Sequence, residues 1–221
     1  MLTKDHTVVI VGAGLAGAKA AQTLREEGFP GRVVLIGEEA ERPYERPPLS
    51  KGLLLGSAER DTVYVHPEGW YAEHDIELRT GTRVVDVDRS ARQVRLADGE
   101  RIGYDKLLLA TGSSPRRLDV PGADLDGVLY LRTLADSDRI GRALTDEARV
   151  VVVGAGWIGL EIAAAARQRG AHVTVIEAAE LPLLRVLGPQ VARLFADLHR
   201  RHGVVFHVNS GVREFRGDRR V

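Results

Sequence analysis

Six glycines, two acids and one lysine are the residues of this sequence whose types and spacing point to chemistry. Gly12, Gly14 and Gly17 stand in the run "GAGLAG", and Gly154, Gly156 and Gly159 stand in "GAGWIG". Each run follows an unbroken β-branched stretch and precedes the helical spacing of small apolar residues. A strand that ends in a glycine turn and opens a helix presents unpaired N–H groups and the positive end of the helix dipole, which suits a phosphate. In such a turn the first glycine permits the bend, the second lets backbone approach a pyrophosphate, and the third lets helix and strand pack closely. Glu38 follows the apolar strand 33–36 and can accept from a ribose hydroxyl. Glu177 lies 23 residues beyond Gly154, near the offset of about 20 residues expected of a ribose-binding acid. Ala178 and Ala179 follow it with no arginine to neutralise a 2′-phosphate, so NAD(H) is expected over NADP(H). One chain with two such turns holds two dinucleotides, and the economical pair is a flavin and a nicotinamide.

These residues need a scaffold. The order strand, glycine turn, helix, strand and acid, met twice, implies an α/β protein with two Rossmann-like dinucleotide-binding folds, each three-layered around a mostly parallel sheet. The first fold is expected over residues 1–115, a linker over 116–146, and the second fold over 147–221. Residues from about 76 to 103 alternate like a small antiparallel β-meander, and the apolar strand 107–110 ends in Thr111-Gly112. A strand's carboxyl end is where ligands sit in open α/β sheets.

Composition narrows the chemistry. Lys plus Arg and Asp plus Glu are 31 each, so net charge argues for neither nucleic acid nor membrane. No apolar run is long enough to span a bilayer, and no basic-then-apolar leader opens the chain, so a cytoplasmic location is expected. The sequence has no cysteine, which excludes disulfides, thiolate metal sites and thiol-based redox relays within this chain.

The stretch "RPYERPPLSKGLLLG", residues 42–56, carries the lysine. Pro47 and Pro48 disfavour helix just before Ser50 and stiffen the approach. Read alone, Lys51 is a surface residue opening a helix for which Ser50 is the N-cap.

Taken together, "RPYERPPLSKGLL", "ATGSSPR" and "GAGWIGLEIAA" resemble the FAD-dependent ferredoxin reductases, the cysteine-free branch of the pyridine nucleotide-disulfide oxidoreductases. The resemblance implies an FAD domain over 1–115 and an NAD domain over 147–221. It implies that Gly12, Gly14, Leu15, Ala16 and Gly17 line the FAD pyrophosphate turn and that Glu38 holds the adenosine ribose. Arg46, Lys51, Val84, Ala110, Thr111, Gly112 and Arg116 would be further FAD contacts. Gly154, Gly156, Trp157, Ile158, Gly159 and Glu177 would contact NAD(H). Glu161 would face the flavin and pair with Lys51, making these two the catalytic residues. A fixed cation about 4 Å from a ring gaining electron density is worth up to ~4 kcal/mol at an effective dielectric near 20. With no thiol relay, electrons would leave singly to a small iron–sulfur protein, a ferredoxin serving an oxygenase. Members of this family continue for about as long again, so the second fold is expected to be incomplete. An interrupted reductase and one half of a split enzyme, completed by a separate C-terminal polypeptide, are both open. A rival of another class is a non-catalytic FAD- and NAD(H)-binding protein, a sensor or interaction partner like apoptosis-inducing factor.

His199, His202 and His207 lack the companion ligands of a metal site, and none is expected. Trp70 and Tyr71 are expected to pack, Asp136 to be a solvated charge, and Arg216-Gly217-Asp218 to be a hairpin turn between strands.

Overall fold

The computed structural model describes residues 3–219 and 221. Two compact units divide the chain. One takes the chain up to Glu45 with Arg60–Ser113, and the other takes Arg46–Glu59 with the chain from Ser114 onward.

In the first unit, strand β1 (Thr7–Val11) leads through a glycine turn into helix α1 (Leu15–Glu26) and back to β2 (Arg32–Ile36). Next come β3 (Ile76–Arg79), β4 (Val84–Asp88), β5 (Gln93–Leu96), β6 (Arg101–Gly103) and β7 (Lys106–Leu109). A parallel sheet runs in the order β3-β2-β1-β7, with Val9 opposite Val34 and Leu107. Alternation along its strands fills two layers. Val8, Ile10, Val33 and Leu35 pack with Ala18 and Ala21 of α1. Val9, Val11, Val34 and Ile36 pack with Val94, Leu96 and Ile102 of the antiparallel sheet β4-β5-β6. Both faces are therefore covered, which is why the strands are unbroken apolar runs rather than alternating ones. A 12-residue helix such as α1 is marginal alone, so burial of its small face is what holds it. The meander spans 84–103 rather than 76–103. Ile76–Arg79 instead extends the parallel sheet, with Ile76 opposite Val33, and so buries Ile76 in the α1 layer.

Tyr71 is buried in that same layer, and Trp70 is sandwiched between two imidazoles, stacked on His66 at 3.7 Å and on His74 at 4.0 Å. Burial is the main cause that lowers the pKa of His66, helped by the charges of Lys19 and His74 and opposed by Glu26. The unfolded chain therefore binds this proton more tightly than the folded one. Stability is complete above the ordinary histidine pKa and declines as pH falls through it toward the folded value. Thermal melts from about pH 7.5 to about 5.5 should show a falling Tm whose slope His66→Phe reduces. An equal slope in the variant would remove His66 from the account.

In the second unit, helix α2 (Leu134–Ala143) precedes β8 (Arg149–Val153), α3 (Trp157–Gln168), β9 (His172–Ile176), α4 (Leu184–Arg201) and β10 (Val204–His207). The parallel sheet β10-β9-β8 buries Val152, Val173, Val175 and Val204 with Leu160, Ala163 and Ala166 of α3. Its opposite face exposes Val151, Val153 and Val205, in keeping with an incomplete second fold. Three corrections fall here. Span 116–146, expected as a linker, carries α2, whose Ile140 joins the unit's core. Asp136 is no idle charge, because its carboxylate accepts from the Arg132 and Thr133 N–H groups while Thr133 Oγ1 accepts from Asp136 N–H. Around Arg216-Gly217-Asp218 there is no strand among the described residues. The chain there runs beside the 121–126 loop, with Phe215 N–H donating to Pro121 O at 2.8 Å.

The two units repeat each other in detail. Arg25 and Arg167 each stand 13 residues after the first glycine of their turn. Each donates Nε to a histidine carbonyl, His74 and His202, at 2.9 Å. Each of those histidines caps a helix C-terminus, with Nδ1 on the carbonyl four residues back. No helix among the described residues is long and apolar enough to cross a membrane.

Candidate functional site

Both glycine turns sit at the carboxyl ends of parallel strands. In the first, Gly12 adopts φ +114°, and a Cβ there would lie 2.1 Å from Ala110 O. The same closeness brings Ala110 and Thr111, just past the end of β7, against the turn, and Gly112 follows them in sequence. A Cβ on Gly17 would lie 2.0 Å from Gly12 O, so helix and strand touch through hydrogen alone. Gly14 is different. Its φ is an ordinary −92°, and an added Cβ meets nothing within 4 Å. Leu15 and Ala16 are exposed beside it. Glu38 is exposed, with Arg83 Nη1 at 3.6 Å. Thr82 N–H donates to Gly37 O at 2.7 Å, which brings the start of β4, and Val84 with it, to the acid's end of the sheet.

The second turn has the same anatomy. Gly154 adopts φ +98°, a Cβ on Gly159 would lie 2.1 Å from Gly154 O, and Gly156 has φ −78° with open space before it. Trp157 and Ile158 are exposed at the helix start, and the Trp157 ring meets Phe195 edge to face at 5.7 Å. Glu177 is better held than Glu38. Its carboxylate accepts from Ala155 N–H at 2.6 Å and Ala179 N–H at 2.8 Å, so the acid is pinned to the turn it would serve.

The residues fit dinucleotides. Neither packing nor backbone conformation calls for glycine at Gly14 or Gly156, yet both face free space before a 12-residue helix. Neither helix has an acidic residue in its first turn to compensate its N-terminal field. Free N–H groups, an uncancelled dipole and no side chain in the way are what a pyrophosphate requires.

Lys51 lies in the second unit, as do Arg46, Arg116 and Glu161. The structure thus sorts the expected FAD contacts into two sets rather than one: ten in the first unit, and Arg46, Lys51 and Arg116 in the second. Pro47–Ser50 forms a 3₁₀ turn and Gly52–Leu55 a single helical turn. Lys51 Nζ is 2.9 Å from Glu161 Oε1 and 3.3 Å from Pro47 O. Its side chain is 52% exposed and that of Glu161 27%. An ion pair this open contributes at most ~1 kcal/mol to stability. Ser50 is not the helix cap. It is buried, and its hydroxyl donates to Glu161 Oε2 at 2.5 Å. Three further bonds hold the segment, none of them legible from local sequence. Ser137 Oγ donates to Leu49 O at 2.7 Å, Arg169 Nη1 to Leu54 O at 3.0 Å, and Arg46 Nη1 to Arg132 O at 2.5 Å.

Comparison with known proteins adds family evidence to this geometry. The family described as pyridine nucleotide-disulphide oxidoreductase matches residues 6–221. Rhodocoxin reductase of Rhodococcus erythropolis is 44% identical over 207 residues, covering 94% of this chain and 48% of that protein. The ferredoxin–NAD(+) reductase subunit of the benzene 1,2-dioxygenase system of Pseudomonas putida is 42% identical, covering 96% of this chain and 51% of that one. The crystal structure of a covalent putidaredoxin reductase–putidaredoxin complex matches with a TM-score of 0.93 and 40% identity, over 98% of this chain and 52% of that chain. The chain spans about half the length of the curated relatives it matches.

Proposed function

Because the chain belongs to the pyridine nucleotide-disulphide oxidoreductase family, we propose that it is an FAD-dependent oxidoreductase that passes electrons from NADH to a small iron–sulfur protein, in the manner of the ferredoxin reductase component of an oxygenase system. The observation that carries this reading is the pair of open glycine cradles in a chain without cysteine. Relatives named as reductases of rhodocoxin, rubredoxin and ferredoxin support the direction of transfer.

In this proposal the unit made of the chain up to Glu45 and Arg60–Ser113, rather than all of 1–115, forms the FAD domain, with the pyrophosphate at Gly12, Gly14, Leu15, Ala16 and Gly17. Glu38 and Val84 take the adenosine end, and Ala110, Thr111 and Gly112 complete the contacts within that unit; Arg46, Lys51 and Arg116 keep the FAD-contact role that the resemblance implies for them. The second unit, which takes in α2 as well as 147–221, forms the NAD domain, with Gly154, Gly156, Trp157, Ile158, Gly159 and Glu177 binding the nicotinamide dinucleotide. Bound FAD would supply the conversion of one hydride's electron pair into two single-electron transfers. Glu161 orients the Lys51 ammonium, whose charge favours the electron-rich form of the cofactor. Ala178 and Ala179 beside Glu177 offer nothing to a 2′-phosphate, which sets the preference for NADH. The exposed sheet face of Val151, Val153 and Val205 is apolar surface open to a further polypeptide segment, and a separate C-terminal polypeptide is the candidate proposed for it. In this reading the reaction takes place in the cytoplasm. That same bare face favours a second reading, a non-catalytic FAD- and NAD(H)-binding protein.

The deciding experiment is a visible absorbance spectrum of the purified 221-residue chain, taken before and after FAD and then NADH under anaerobic conditions. The reductase reading expects flavin bands that persist through desalting and bleach with NADH but not with equal NADPH. NADH binding without flavin uptake would sink it and leave a non-catalytic protein that binds NAD(H) alone.

A further inference from the structure

Lys51 and Glu161 have long, partly solvated side chains, and a pair of that kind does not hold one geometry unaided, because its small Coulomb gain is offset by rotamer entropy. Ser50 is placed to change this. It is 5% exposed, its side chain has a single rotor, and its hydroxyl donates to Glu161 Oε2 at 2.5 Å while Lys51 occupies Oε1 at 2.9 Å. The backbone on either side of it is anchored, at Leu49 O by the Ser137 hydroxyl and at Leu54 O by Arg169. A carboxylate is acceptor-only, so two neighbouring donors from one rigid turn fix both its oxygens.

We propose that Ser50 is a positioning residue: it locks the Glu161 carboxylate so that the free oxygen holds the Lys51 ammonium in one place. Glu161 sits in α3, the helix that opens at Gly156. The lysine charge is thereby indexed to the same helix that would receive the nicotinamide dinucleotide, within one unit of the fold. The functional weight of this role rests on the proposed reading of Lys51, but the positioning itself does not, and the test keeps the two apart.

The sequence has four lysines, Lys4, Lys19, Lys51 and Lys106, so the ammonium signals of the ¹⁵N-lysine-labelled chain form a short spectrum. The Lys51 signal is assigned by its loss in Lys51→Arg, with no flavin or NADH present. Wild type and Ser50→Thr should show a slowly exchanging Lys51 ammonium. Ser50→Ala should speed its exchange with water by roughly 5-fold or more, the factor that corresponds to one net hydrogen bond, while the other three lysines stay unchanged. Wild-type exchange in a folded Ser50→Ala chain overturns the proposal. Should that variant lose the amide spectrum of a folded protein, Ser50→Cys has nearly the same shape and a weaker donor, and unchanged Lys51 exchange there overturns it equally. Failure of flavin uptake in the absorbance experiment would remove the reductase reading and leave this result standing.

Discussion

Gly156→Ala should leave the second unit folded and remove its dinucleotide affinity, whereas Gly159→Ala should remove the fold. The two glycines are three residues apart in one turn, and their surroundings are opposite. At Gly156 the φ of −78° is open to any residue and an added methyl meets no atom within 4 Å. Alanine at a helix N-cap costs about 1 kcal/mol, so the Tm should fall by only about 2–4 °C. The methyl would stand where a pyrophosphate must approach the backbone, and a loss of ~1.4–2.8 kcal/mol there weakens NADH binding by roughly 10- to 100-fold. At Gly159 the methyl would lie 2.1 Å from the Gly154 carbonyl oxygen. Both partners are backbone, so no rotamer change relieves the clash, and the cost exceeds ~4 kcal/mol. The first turn offers the same contrast between Gly14 and Gly17. Melting curves and an NADH titration decide the matter. Wild-type NADH affinity in Gly156→Ala would mean that the open space is not a cofactor cradle.

That contrast also marks what the sequence displays and what it hides. The turns, their strands and the three-layer order are legible because each is local. A pure β-branched run followed by glycines and small helical residues has few other foldings. Strand β3 is not legible, because "IELR" alternates as a meander strand would and the residue it pairs with, Val33, lies far upstream. Helix α2 carries its signal in "TLAD", a Thr with an acid three residues on, yet its charges invite a solvated reading. Ser50 illustrates the deepest limit. A serine before a helical turn reads as a cap, and nothing nearby discloses that its partner is a glutamate 111 residues away. The grouping of Arg46–Glu59 with the second unit is hidden for the same reason, since its anchors Ser137, Glu161 and Arg169 are all distant in sequence.

Duplication gives the other large effect, and it separates two copies of one device. Arg25→Lys should lower the Tm by about 4–8 °C, and Arg167→Lys by less. The Arg25 guanidinium reaches four carbonyls, those of Phe29, Gly31, His74 and Asp75, at 2.6–2.9 Å. The Arg167 guanidinium reaches the carbonyls of Ala171 and His202. A planar fork serves diverging acceptors from two loops at once, which a lysine ammonium at a single point does not. Hydrogen bonds to a charged donor are worth ~1.5–3 kcal/mol each when buried. These are partly solvated and water replaces some, so about 2 kcal/mol is expected for Arg25, at about 2–4 °C per kcal/mol for a chain of this size. The copies differ at one further residue. After its helix cap the first has Asp75 at φ +53°, where the second has Gly203 at φ +81°. A non-glycine residue in that left-handed region costs ~1–2 kcal/mol, and in the first copy Arg25 Nη2 holds the Asp75 carbonyl at 2.6 Å. Asp75→Gly should therefore recover a large part of the Tm lost in Arg25→Lys. If the double variant melts no higher than Arg25→Lys alone, the guanidinium is holding the loops together without constraining the backbone at Asp75.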